Sequence, residues 1–141
     1  MSEILLIREP IEEDVSPTFF ARLVNGYGVA LVRSDVVANG VTLRCYDLSG
    51  DNPNTAVLTL SSLDPSTTYS GHALMEDTLQ TTAWTKDNIG WNLTYTPDIS
   101  GLSTSASYGG HELRWEFELM LAVGGKMWAT FQTPVRSMKS S

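Results

Sequence analysis

Two histidines, His72 and His111, are all the imidazole that this 141-residue chain has for acid–base work or metal ligation. Neither stands in an H-E-x-x-H pattern, which sets two imidazoles one helical turn apart around a zinc ion. His111 follows Gly109 and Gly110 at the start of an alternating segment, and both histidines are expected at surface or turn positions. Cys45 is the single cysteine, so an internal disulfide and a multi-thiolate zinc site are excluded within one chain. It alternates with polar neighbours, as a small buried hydrophobe does. No serine stands in the G-x-S-x-G elbow that exposes a nucleophile at a strand-to-helix turn.

Paired carboxylates can divide acid and base roles or hold a divalent cation. The candidates are Glu12-Glu13-Asp14, Glu76-Asp77 and the set Glu112, Glu116 and Glu118. The last three fall two or four residues apart with Arg114 among them, which is the make-up of a solvated strand face. Asp35, Asp47, Asp51 and Asp87 lie in turn-like contexts, where aspartate accepts hydrogen bonds from its own backbone. Asp87-Asn88-Ile89-Gly90 lacks calcium-loop spacing, and Gly26-Tyr27-Gly28 precedes a strand pattern where a phosphate cradle needs a helix. Asn92-Leu93-Thr94 fits the glycosylation triplet but lies inside a strand pattern. The expectation is a chain that is not an enzyme, with no catalytic residues, no cofactor and no metal.

Trp84, Trp91, Trp115 and Trp128 are the remaining chemical resource. Indole faces stack on sugar rings, so a carbohydrate-binding sandwich is the alternative function; more often such residues fill a core or an interface. Trp91 and Trp115 alternate with polar residues and are expected in the core. Trp128 falls on the face opposite Met127 and Phe131, which makes it the candidate for an exposed contact.

The elements that position these residues are strands. In His111 to Leu121, Leu113, Trp115, Phe117, Leu119 and Leu121 alternate with Glu112, Arg114, Glu116, Glu118 and Met120. A strand puts the two sets on opposite faces, whereas a helix would scatter them around its circumference. Lys126 to Val135 alternates likewise, with Met127, Ala129, Phe131 and Val135 on one face. A hairpin between them with a three-residue loop, Val123 to Gly125, and Gly125 in the left-handed bulge position, pairs Leu121 with Met127, Leu119 with Ala129 and Phe117 with Phe131.

Further strands are predicted at Thr18 to Val24, Gly28 to Val32, Val41 to Tyr46, Thr55 to Leu60 and Ile89 to Tyr95, with turns at Asn25-Gly26 and Asn39-Gly40. Ser34 to Val37 reads as one helical turn, and Asp98 to Gly110, rich in Ser, Gly and Thr, as a loop. About seven strands make an all-β, antiparallel, immunoglobulin-like β-sandwich, with a small β-barrel as the competing architecture. The chain divides into residues 1–16, an N-terminal strand or an assembly arm; 17–136, the sandwich; and 137–141, a mobile tail. In the first part Ile4, Leu5, Leu6 and Ile7 either pair within the domain or bury against a neighbouring subunit.

Composition bounds the partners. Hydrophobic residues make up 42% and charged residues 18%, a globular balance. Sixteen acidic against nine basic residues give a formal charge of −7, which repels a phosphate backbone, so nucleic acid is not an expected partner. The apolar runs Ile4 to Ile7 and Leu119 to Val123 are far short of the ~20 residues of a membrane span. The start of the chain lacks the basic, apolar and small-residue zones of a secretory signal, which predicts synthesis in the cytoplasm.

The order of short motifs resembles a known group. Cys45-Tyr46-Asp47-Leu48 is followed by a β segment, then Asp77-Thr78-Leu79-Gln80, Trp84-Thr85-Lys86-Asp87, Gly90-Trp91-Asn92-Leu93, and Gly109-Gly110 before a long alternating strand. Across residues 17 to 136 this resembles the immunoglobulin-like structural proteins of tailed bacteriophages, including the N-terminal domain of baseplate upper proteins. Trp91 stands where a tyrosine is more usual and Leu93 where a phenylalanine is, both volume-compatible core exchanges. The resemblance implies a virion protein made in the bacterial host, contacting capsid, neck, tail or baseplate subunits, and homo-oligomeric in the particle. The residues expected at subunit interfaces are Ile4, Leu5, Leu6, Ile7 and Trp128.

Overall fold

Leu113, Trp115, Phe117 and Leu119 are buried while Glu112, Arg114, Glu116 and Glu118 keep partial contact with water, so the alternation of this segment is the alternation of a strand with one face in the core. The computed structural model describes residues 4–6, 11–12, 17–69, 71–99 and 110–136. Ile7, the acidic Glu13-Asp14 pair, nearly all of the Asp98 to Gly110 stretch and the tail from Ser137 lie outside the described residues.

In chain order the strands are β1 (Ile4–Leu6), β2 (Ile11–Glu12), β3 (Phe19–Leu23), β4 (Val36–Asp47), β5 (Ala56–Leu63), β6 (Thr68–Tyr69), β7 (His72–Ala73), β8 (Met75–Gln80), β9 (Trp91–Tyr95), β10 (Glu112–Leu121) and β11 (Lys126–Arg136). They form a four-stranded sheet, β1-β3-β9-β8, and a five-stranded sheet, β2-β11-β10-β4-β5, with β6 and β7 as a short ribbon. Among the described residues all pairings are antiparallel except β2 with β11, where Ile11 and Glu12 run parallel to Val135 and Arg136. The result is an immunoglobulin-like antiparallel β-sandwich, not a closed barrel. Its seven longer strands are β3, β4, β5, β8, β9, β10 and β11.

Phe19 joins the layers. From the four-stranded sheet its ring meets Phe131 at 4.5 Å, Trp115 at 5.2 Å and Phe117 at 5.7 Å on the five-stranded sheet. Leu23, Leu43, Leu93, Leu113 and Leu119 complete the buried layer. Each such large side chain taken fully out of water contributes roughly 1.5–3 kcal/mol, which sets off the entropy of ordering the strands.

The β10–β11 hairpin turns one residue earlier than its sequence predicts. Leu121 N–H donates to Gly125 C=O (3.1 Å) and Gly124 N–H donates to Leu121 C=O (2.9 Å), so the three-residue loop is Ala122 to Gly124. Gly124, at φ +102°, ends the loop in the position expected of Gly125, while Gly125 itself is left-handed as expected, at φ +83°. The pairs become Leu119 with Met127, Phe117 with Ala129 and Trp115 with Phe131. Sliding the loop by one residue moves the register by two, and with a period of two every side chain stays on its face. The alternation therefore fixed the faces without fixing the loop.

Three other expectations change. Asn39-Gly40 is not a turn between elements but part of a bulge inside β4: Val41 pairs with Leu119 and Val36 with Leu121, so Val37 to Gly40 stand against Met120 alone. Asn39 adopts φ +55°, and a Cβ on Gly40 would lie 2.7 Å from the Val37 carbonyl oxygen. The helical turn is a 3₁₀ turn at Arg33–Asp35, one residue ahead of its expected place, and Val36 already begins β4. Gly28 to Val32 is not a strand; there Ala30 bridges Val24 and no ladder follows.

Candidate interaction surface

The outer face of the five-stranded sheet carries the polar half of β10. Glu118 lies 3.2 Å from Lys126 and 3.6 Å from Arg44, Arg114 lies 2.9 Å from Glu116, and the Arg114 guanidinium sits 4.9 Å above the Tyr46 ring. Acids and bases alternate here as on a solvated face. Partly exposed pairs of this kind contribute little each. At the hairpin end the face turns apolar. Trp128 is 48% exposed and pairs with Glu118, Met120 is half exposed, and Val123 stands out at the loop tip. Trp128 and Met120 are diagonal neighbours on one face, within reach of each other's side chains.

The backbone of β11 adds a second property. The bond from Leu121 N–H to Gly125 C=O at one end and from Val135 N–H to His111 C=O (2.8 Å) at the other fix which pairs are hydrogen-bonded. Alternation then turns the odd residues Met127, Ala129, Phe131 and Thr133 toward β10 and the even residues Lys126, Trp128, Thr130 and Gln132 outward. Pro134 falls on the outward set, where its missing N–H costs no bond to β10. Among the described residues, β2 covers this edge at Val135 and Arg136 and nothing pairs with the rest.

Of the residues expected at interfaces, Ile4, Leu5 and Leu6 form β1 and pair with Leu23, Arg22 and Ala21 of the same chain. Ile7 lies outside the described residues. Trp128 belongs to the other sheet, so β1 and Trp128 do not share a strand neighbour. Trp84, Trp91 and Trp115 are buried, so the four tryptophans do not line up as one exposed platform.

A second apolar set had no clear sequence signal. Tyr27, 94% exposed, and Val29 project from a turn stiffened by Asn25, whose Oδ1 accepts from Tyr27 N–H (2.8 Å) and Val29 N–H (3.1 Å). Beside them Val24, Gly28, Ala30, Leu79, Ile89 and Arg22 line a cleft of about 250 Å³. The Asn25-Gly26 turn was legible, but the exposure of its apolar tip is decided by what the fold leaves uncovered.

The titratable groups are held by structural partners. Asp87 Oδ1 accepts from Trp84 Nε1 (2.8 Å), Ile89 N–H (2.8 Å) and Gly90 N–H (3.2 Å), and its carboxylate meets Arg22 at 2.9 Å. Partial removal from water pushes this carboxyl up, but the donors from Trp84, Ile89, Arg22 and Gly90 outweigh it and hold the pKa at about 2. Gly90, at φ +111°, presses its backbone against the Gln80 carbonyl, where no side chain fits. Asp47 lies 2.8 Å from His111 Nδ1 and also accepts from Ser49 N–H at 3.1 Å. Burial, with the Asp47 charge adding to it, pushes the Cys45 thiol up to about 12. Among the described residues no group of three or more His, Cys, Asp or Glu side chains is placed to hold a metal ion.

No family model matches the chain, and no curated protein matches it. Among solved structures the chain is similar to CopC from Methylosinus trichosporium OB3b, at 11% sequence identity and a TM-score of 0.43, with 99% of each chain covered. A likeness of that size carries nothing about function.

Proposed function

We propose that the chain is a bacteriophage virion structural protein: a non-catalytic β-sandwich that makes assembly contacts as a head decoration or cement subunit, or as a neck, tail or baseplate adaptor. The observation that carries this reading is the apolar end of the β10–β11 hairpin, where Trp128, Met120 and Val123 meet solvent on a rigid two-stranded element. Half-exposed aromatic and Met side chains on a stiff scaffold are what a protein contact uses as anchors. The motif order from Cys45 to Gly110 supports the same reading through its resemblance to phage structural proteins.

The test is immunogold labelling of purified particles with an antibody raised against the folded chain, with copy number measured by quantitative mass spectrometry. Label at a fixed position on the head or tail, in a copy number matching that position's symmetry, is the expected result. Chain found in the lysate and absent from the particles overturns it. Trp128→Ala is expected to lower incorporation while leaving the unfolding free energy within about 0.5 kcal/mol of the parent, as exposed substitutions do. Deleting residues 1 to 9 removes β1 and its pairing with β3 together, so incorporation and stability are read side by side: both unchanged rules out an assembly role for the first segment.

A further inference from the structure

We propose that the outward edge of β11 is a self-pairing surface, by which two copies of the chain join antiparallel about a two-fold axis at Ala129 into one continuous sheet. This deepens the assembly reading and rests on it.

Edge strands invite pairing unless they are short, bulged or covered. Among the described edges, β1 spans Ile4–Leu6, β5 shifts register twice against β4, and β8 shifts register between Met75 and Gln80. Among the described residues, β11 has none of these protections along Lys126 to Thr133. Its register with β10 runs unbroken from Glu112 opposite Pro134 to Met120 opposite Lys126.

The outward N–H and C=O groups belong to Lys126, Trp128, Thr130 and Gln132, and this set is centred on Ala129. A two-fold axis there places Trp128 opposite Thr130 of the second copy and Lys126 opposite Gln132 of the second copy. Each of these pairs exchanges both main-chain bonds. Pro134, with no N–H to give, falls just beyond the paired stretch.

The side chains agree with that register. Tryptophan opposite a β-branched threonine is a favourable cross-strand pair, and the two Trp128 indoles become diagonal neighbours across the axis, covering the halves now exposed. No like charges face each other. The stretch carries an ammonium at Lys126 and no carboxylate of its own, and the acids of this face, Glu112, Glu116 and Glu118, stand one strand inward on β10.

Sedimentation velocity of the full chain over a wide concentration range tests this, with two variants. The parent is expected to sediment as a dimer at high concentration. Thr130→Pro removes an outward N–H without touching the β10 ladder and is expected to be a monomer with an unchanged far-ultraviolet spectrum. Gln132→Lys sets an ammonium opposite Lys126 at both ends of the pairing, and within its own chain it replaces an amide that lies 3.3 Å from the Glu112 carboxylate, a favourable partner for the new charge. Its dimer is expected to weaken about tenfold with no loss of thermal stability. A parent that stays monomeric throughout overturns the proposal, as does a Thr130→Pro or Gln132→Lys variant that dimerises as tightly as the parent. Because no particle enters this measurement, a monomer removes the β11 pairing alone, and the particle labelling decides the virion reading separately.

Discussion

The Asn92 carboxamide is hydrogen-bonded to both backbone groups of Leu23: Oδ1 accepts from the N–H at 2.7 Å and Nδ2 donates to the C=O at 2.9 Å. Nδ2 also donates to Leu31 C=O at 2.9 Å. The β3–β9 ladder runs from Phe19 opposite Tyr95 to Ala21 opposite Leu93, and the side chain takes over from the backbone just beyond it. Asn92 is 1% exposed, so water cannot replace it. Asn92→Ala is expected to cost about 3 kcal/mol or more in urea unfolding, because several buried backbone groups lose their partners together. Asn92→Asp keeps the acceptor but cannot donate when ionised, and is expected to be worse near neutral pH than in acid. A loss below about 0.5 kcal/mol for the alanine variant would falsify the bridging role.

Trp115 Nε1 donates to Thr133 Oγ1 at 2.9 Å, with both residues buried. Thr133→Val keeps the shape and strands the indole N–H, at an expected cost of about 1–3 kcal/mol. In a double-mutant cycle, Trp115→Phe with Thr133→Val is expected to lose less than the sum of the single losses, with a coupling of about 1 kcal/mol. Strict additivity would mean that the bond contributes nothing beyond packing.

Asp87 gives a pH signature. Its folded pKa, about 2, lies below the ordinary carboxylate value, so the folded state binds fewer protons and stability rises with pH through that window. The contribution is complete above about pH 4 and is lost as pH falls through 2. Urea unfolding of the parent and Asp87→Asn should differ most near neutrality and converge in strong acid. A difference that ignores pH would show that the carbonyl geometry, and not the charge, is what matters.

Cys45 behaves in the opposite sense at high pH. Its thiol, raised from 9.0 to about 12, stays protonated in the fold while the unfolded chain ionises. The stability of the parent relative to Cys45→Ala should therefore decline as pH climbs above 9. Below that pH the native thiol should react with a disulfide reagent at the rate at which the fold opens, slowing with every stabilising condition. Immediate modification of the native protein would contradict the burial.

The faces of β4, β10 and β11 were legible because a half-buried strand writes its burial as alternation. Leu43 and Cys45, Trp115 and Phe117, and Ala129 and Phe131 all lie inward as their spacing predicts. Alternation says nothing where both faces are covered or where a bulge interrupts it. All of Trp91 to Tyr95 is buried, Asn92 and Thr94 included, because β9 is covered on both sides. β8 was missed because its burial does not alternate: Met75 is buried, and Glu76 to Gln80 are all partly or fully exposed. Trp128 was legible as an outward residue; Tyr27, Val29 and Ile89 were not, since no local pattern records which apolar residues a fold fails to cover.

The parallel pairing of β2 with the end of β11 gives the molecule a direction of mechanical resistance. Two parallel strands entered from opposite ends of the chain are pulled past one another when tension is applied along it, so their bonds share the load, whereas antiparallel neighbours peel apart bond by bond. Tension passing through this chain would thus strip the short antiparallel β1 from β3 first and then meet the shared load at Ile11 and Val135, before reaching the core.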